Sequence, residues 1–205
     1  MRLRLILPLF LLACCAALPA GPAAAADDAK LLHSYTPPGW SLAIGLPDYG
    51  KVFQPGDPEW GAGADLDWSW QSQIDDTKTV PLYRIDGQTI HLKADDGSEQ
   101  VLTDADFEAY YDAMLQEWAK DKTFTLLSSQ KDYPGAGGRL WHMFQLHEDA
   151  KSGPLDYYAL LGREDDGLLR MISFYYAPTD DPDTQQAILG MVMLHLDPSL
   201  LDLTK

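Results

Sequence analysis

The stretch TDADFEAYYDAMLQEWAKD, Thr103 to Asp121, decides how the chain is read. Thr103 is a good N-cap, and Asp106 stands where the Glu of a capping box would stand. Apolar side chains follow at Phe107, Tyr110, Tyr111, Met114, Leu115 and Trp118. Their spacing is i, i+3, i+4, i+7, i+8 and i+11, a single helical face. Glu108, Asp112, Gln116, Glu117 and Lys120 take the other face. Burying all six apolar side chains would release on the order of 10 kcal/mol before chain entropy is subtracted. Such a helix needs an apolar surface to lie on, and the segments after it are built to supply one. The stripe is therefore read as core. On that reading Trp118→Ala costs roughly 3–5 kcal/mol.

Downstream, Phe124 to Gln130, Leu140 to His147, Leu155 to Arg163 and Leu168 to Ala177 read as four strands with short connections, an antiparallel arrangement. Glu164-Asp165-Asp166-Gly167 is the turn between the last two. A second helix follows from Thr184 to Leu196, with Asp181 as N-cap and Pro182 at the first helical position. Its expected inner face holds Ile188, Met191, Val192 and His195, and Asp197-Pro198 ends it.

Upstream, Pro37-Pro38-Gly39 forces a turn after a polar lead-in. Trp40, Leu42, Ile44 and Leu46 then alternate with Ser41, Ala43 and Gly45, the pattern of a half-buried strand. Residues 55–65 form a Gly/Pro-rich loop around Trp60. Leu66, Trp68, Trp70 and Ile74 give another alternating strand. Asp86-Gly87, between two apolar runs, carries the signal of a two-residue type I′ hairpin. The fold class is α+β, a mainly antiparallel sheet with helices packed on it.

Residues 1–26 read as a secretory signal: Arg2 and Arg4, an apolar run from Leu3 to Leu12, and Ala23 to Ala26 as the cleavage region. Residues 27–205 then form one domain in the periplasm or secreted medium. Leu11-Leu12-Ala13-Cys14 offers a lipobox alternative, with a lipid anchor at Cys14. No stretch is long and apolar enough for a transmembrane span. Both cysteines, Cys14 and Cys15, lie in the leader, so cleavage after Ala26 leaves no thiol for disulfides, metal sites or nucleophilic catalysis. With 15 Lys and Arg against 31 Asp and Glu, the net charge is −16. That sign excludes nucleic acid and anionic membrane surfaces as partners; it would attract a basic one, although solubility alone accounts for it.

The order of these elements resembles the PsbP-like superfamily, including the DcrB-type bacterial envelope proteins. The residues carrying the resemblance are Pro37-Pro38-Gly39-Trp40 running on to Leu46, the helix from Asp104, the meander from Phe124 to Ala177 and the closing helix from Thr184. The resemblance implies an antiparallel sheet sandwiched by helices and an accessory, chaperone-like or partner-binding role. It brings no shared catalytic residues.

The residues themselves point the same way. His33, His91, His142, His147 and His195 form no metal-binding motif, and His142 and His147 fall on opposite faces of their strand. Asp65-Leu66-Asp67 and Asp181-Pro182-Asp183 have the start of calcium-loop spacing without the rest, and turns and a helix cap account for them. There is no G-x-S-x-G elbow, and Gly135-Ala136-Gly137-Gly138 precedes a strand, so it is not a phosphate cradle. No catalytic, metal or cofactor site is expected. The candidate partner-binding residues are Tyr49, Trp60, Asp65 and Asp67 around the loop, and Glu164, Asp165 and Asp166 in the acidic turn. The leading reading is a non-enzymatic exported protein that binds a protein partner, one version being an immunity protein against a basic toxin. A small-molecule or glycan binder using Trp60 and an unrecognised hydrolase are the alternatives.

Overall fold

A computed structural model describes residues 32–60, 65–72, 83–94, 96–120, 124–134, 140–150 and 153–196. The leader, Ile74 and the 135–139 loop lie outside them, as does the anchor at Cys14. Among the described residues, strands β1 (Leu32–Tyr35) and β2 (Ile44–Pro47) pair antiparallel as a small separate sheet. A seven-stranded sheet holds β3 (Gly50–Phe53), β4 (Trp68–Ser72), β5 (Tyr83–Ile90), β6 (Phe124–Pro134), β7 (Leu140–Ala150), β8 (Gly153–Arg163) and β9 (Leu169–Tyr176). Their spatial order is β3-β4-β5-β9-β8-β7-β6, and every pairing is antiparallel. Two helices lie among the described residues, α1 (Asp104–Trp118) and α2 (Pro182–Leu196). The α+β class and the antiparallel meander are as expected from the sequence.

Local chemistry sets the helix ends. Thr103 accepts from the Asp106 N–H while the Asp106 carboxylate accepts from the Thr103 N–H at 3.0 Å, a reciprocal capping box. Asp181 caps α2 by accepting from the Thr184 N–H at 3.2 Å, just ahead of Pro182.

Two apolar clusters divide alternate residues of the central strands. Tyr158 and Leu160 of β8 and Ile172, Phe174 and Tyr176 of β9 join Val192 and Leu196 of α2. Tyr157, Ala159 and Leu161 of β8 join Phe107 and Tyr111 of α1. Side chains of successive strand residues point to opposite faces, so each helix serves a different face. The α2 face also receives Trp40, Leu42, Ile44, Leu46, Trp68, Trp70 and Trp141. His195 fastens α2 to the small sheet, its Nδ1–H donating to the Gly45 carbonyl at 2.5 Å.

Four expectations change. Asp86-Gly87 is no hairpin: β5 runs straight through it, because the Trp68 indole occupies the space a Cβ on Gly87 would need. The glycine is a seat for a tryptophan, and the same holds for Gly50 under Trp70 and Gly162 under Trp141. Second, Trp40, Leu42, Ile44 and Leu46 are all buried as their alternation required, yet only Ile44–Pro47 is strand, and all four of its residues are buried. Third, the segment ahead of Thr36 contains β1 rather than a plain lead-in. Fourth, the helical faces are shallower than expected. Only Phe107 and Tyr111 of the α1 stripe are buried, with Tyr110, Met114, Leu115 and Trp118 half-buried, and Met191 of α2 is exposed.

Candidate functional site

The strand that fails to form between Trp40 and Ile44 is the key to the site. Backbone amides that leave a ladder need another acceptor. Here it is Glu164, from the β8–β9 turn. Its carboxylate accepts from the Ser41 N–H at 3.1 Å and from the Leu42 N–H at 3.0 Å. Glu164 is 3% exposed. A carboxylate so buried requires charged or N–H partners on all sides. Arg170 supplies one, with Nε 3.5 Å from Glu164 Oε2.

Arg170 is itself 2% exposed and acts as the hub. Its Nη2 donates to the Gly39 carbonyl at 3.0 Å and to Asp166 Oδ2 at 2.8 Å. Its guanidinium lies 5.5 Å from the Trp40 ring centroid, a cation–π contact. The Trp40 indole N–H donates to Asp67 Oδ2 at 2.9 Å, and the Thr89 hydroxyl donates to the same oxygen. Thr89 stands directly opposite Arg170 in the β5–β9 ladder. Pro38-Gly39-Trp40 is thus clamped between the β8–β9 turn and the start of β4.

Beside this clamp opens a cleft of about 430 Å³, lined in part by Pro38, Gly39, Gln54, Asp67, Thr89 and Arg170. The volume suits a side chain or small molecule. Gln54 belongs to the start of the Gly/Pro-rich loop, where its N–H bonds the Asp57 carboxylate at 2.7 Å and its side-chain amide donates to the Tyr35 hydroxyl at 2.7 Å. Burial, eased by that bond, pushes the Tyr35 phenol up. His91, on the rim, is hydrogen-bonded to Glu99.

Three of the seven candidate residues therefore meet here, Asp67 in the cleft wall and Glu164 and Asp166 behind it on Arg170. Glu164 is internal rather than displayed. Tyr49, Trp60, Asp65 and Asp165 lie outside the lining. Tyr49 is 36% exposed and meets Trp70 edge-on at 5.6 Å. Trp60 is half-buried, its N–H donating to the Asp57 carbonyl. Asp65 and Asp165 are exposed. Sequence reasoning missed Arg170, which looks like one more residue of an apolar strand. The signal that could have found it is a lone charge in a run otherwise fit for burial on both faces.

A second polar cluster lies on the other face. Glu108, Asp132 and His142 bring potential metal-ligating atoms within 4.8 Å of one another. Asp132 has a left-handed backbone (φ 57°) at a bulge of β6. From there its N–H donates to His142 Nδ1 at 3.2 Å. The ring proton then sits on Nε2, 2.7 Å from Glu108 Oε1, and no ring lone pair is left for a metal. Lys131 holds the other Glu108 oxygen at 2.8 Å and Asp112 at 2.9 Å. The Lys131 ammonium draws the Glu108 carboxyl below its ordinary value, and both carboxylates raise Lys131 in turn. The group fits an ion-pair network pinning α1 to β6 and β7 better than a metal centre.

No family model and no curated protein matches the sequence. Among solved structures, cyanobacterial PsbP (CyanoP) from Synechocystis sp. PCC 6803 is similar at 11% identity, covering 80% of this chain and 88% of that one, with a TM-score of 0.49. PA94 from Pseudomonas aeruginosa, described as a protein of unknown function, is similar at 14% identity over 79% and 94%, with a TM-score of 0.38. Likenesses at this level bear on neither activity, partner nor location. Among the described residues no helix is long and apolar enough to cross a membrane.

Proposed function

We propose that this chain is an exported, non-enzymatic accessory protein that binds a protein partner, built as a PsbP-like α/β/α sandwich of the DcrB type. One observation carries the reading: most of the polar groups in and behind the cleft hold the fold. Glu164 is bound to two backbone amides, Arg170 to Gly39 and Asp166, and the Thr89 hydroxyl to an Asp67 oxygen that Trp40 also fixes. A hydrolase needs a nucleophile or water beside a base with a free lone pair, oriented by a third group. Trp40, Thr89, Glu164 and Arg170 spend their hydrogen bonds on rigidity instead. A rigid cleft on an acidic chain is a surface for recognition, and in its most specific form it masks a basic toxin as an immunity protein.

The test is affinity capture with the tagged protein from periplasmic extract at low ionic strength. One stoichiometric protein is expected, released as salt rises and screens the acidic surface. Recovery of no stoichiometric protein would end the reading. The intact mass of the exported form checks the address: cleavage after Ala26 is expected, and a lipidated Cys14 would replace the soluble form with an anchored one.

A further inference from the structure

We propose that the cleft beside Trp40 is a socket for one basic side chain, the ammonium or guanidinium of a lysine or arginine on the partner. This deepens the partner-binding reading and rests on it. Asp67 is held in one orientation because Oδ2 accepts from both the Trp40 indole and the Thr89 hydroxyl. Its Oδ1 takes no hydrogen bond from any described residue, although Asp67 lines the cleft. The wall therefore presents a carboxylate oxygen already oriented, with little ordering left to pay on binding. Gln54, also in the wall, uses its side-chain N–H on Tyr35 and adds an amide oxygen as a second acceptor.

Charge favours the same occupant. Arg170 in the wall is matched by Asp166 at 2.8 Å and by Glu164 at 3.5 Å. With Asp67 the local sum is negative, and the chain as a whole carries −16. Pro38, Pro55 and Leu168 offer apolar wall for the methylene stem of a lysine or arginine. A volume of about 430 Å³ exceeds what such a side chain needs. An anionic occupant has one argument, the buried Arg170 Nε and Nη1, which lack a hydrogen-bond partner among the described residues. Glu164 and Asp166 already offset the Arg170 charge, and Asp67 adds a further carboxylate to the wall.

The experiment uses the full mature chain, uniformly ¹⁵N-labelled, titrated with blocked tripeptides: acetyl-Gly-Arg-Gly-amide, its Lys counterpart, and the Gln and Glu controls. Saturable shifts at the Gly39 and Thr89 amides and the Trp40 indole N–H are expected for Arg and Lys alone. Asp67→Asn keeps an oxygen for Trp40 and Thr89 but turns an N–H toward the cleft. Losing one hydrogen bond to a charged group should weaken the Arg peptide about tenfold or more. The Trp40 indole signal, unmoved in the free variant, reports that the clamp is intact. If the variant does not fold, the wild-type ranking of the four peptides decides, together with weakening of Arg binding as salt rises from about 20 to about 300 mM. Equal binding of the Gln peptide, preference for the Glu peptide, or an unchanged Asp67→Asn would overturn the socket. A partner captured equally by wild type and Asp67→Asn would overturn the socket and leave the partner reading standing. Asp67-dependent peptide binding with no partner captured would overturn the partner reading alone.

Discussion

The two faces of the large sheet are covered differently. On the α2 side, four tryptophans (Trp40, Trp68, Trp70 and Trp141) are buried, and side chains arrive from the small β1–β2 sheet, the strands and the last helix. On the α1 side, the helix that is most conspicuous in the sequence buries only Phe107 and Tyr111 fully. The difference teaches that hydrophobic periodicity measures contrast rather than depth. A helix lying at the surface has one wet side and one dry side, so its stripe is sharp. A face enclosed by many elements draws on scattered positions, and no local window displays it.

If that contrast holds, Trp68→Ala should cost the most, about 3–5 kcal/mol, as a large side chain removed from a site with no exposure. Urea unfolding measures it, and a loss under 2 kcal/mol would remove the asymmetry between the faces. Acid should attack the same side. Burial pushes the His195 imidazole down to about 4 from 6.5. Below pH 6.5 the unfolded chain binds a proton that the folded chain refuses until about pH 4. Stability is thus full above pH 6.5 and falls with pH across that window, by about 3 kcal/mol at its end. The unfolding free energy of wild type minus that of His195→Gln should shrink accordingly between pH 7 and pH 4, and a constant difference would show that the ring is not dry. His147 runs oppositely, because its bond to Asp156 raises it. Its contribution is present below the unfolded value and is lost as pH rises through the folded one.

Gly87→Ala comes next. A methyl there must displace the Trp68 indole, at about 1–3 kcal/mol. Were the variant neutral in thermal melts, the tryptophan seat would not be tight. The α1 face should be milder. Trp118 is half-buried with an edge contact to Phe144 at 4.5 Å, so Trp118→Ala should cost about 1–2 kcal/mol rather than the 3–5 expected from its stripe. Thr103→Ala, which opens the capping box, should cost about 1 kcal/mol. Either matching Trp68→Ala would erase the comparison.

What was legible in the sequence was local. Thr103 with Asp106, Asp181 with Pro182, and the four strands after α1 are each specified by neighbours within a few positions. What was illegible depended on partners far along the chain. Asp86-Gly87 has the chemistry of a turn, and only the indole of Trp68 makes it strand. Trp40 to Leu46 disclosed its burial by alternation but not its broken ladder, because the acceptor for Ser41 and Leu42 belongs to a turn on the far side of the chain. Glu164 looked like a solvated turn acid for the same reason. Of the site, Asp67 was visible as an acid beside the loop, while the cleft and its hub Arg170 were not.

The Glu164 clamp also dictates an order of events. It joins positions 122 and 123 residues apart, Arg170 reaches Gly39 across 131, and His195 reaches Gly45 across 150. Contacts that distant form slowly, because the loop between them must be closed first. A chain emerging from its N-terminus has Trp40 and the β1–β2 pair long before it has anything to fasten them to. The first-made segment is therefore the last to lock. In pulse-labelled hydrogen exchange during refolding, the Ser41 and Leu42 amides should gain protection after those of β7, β8 and β9.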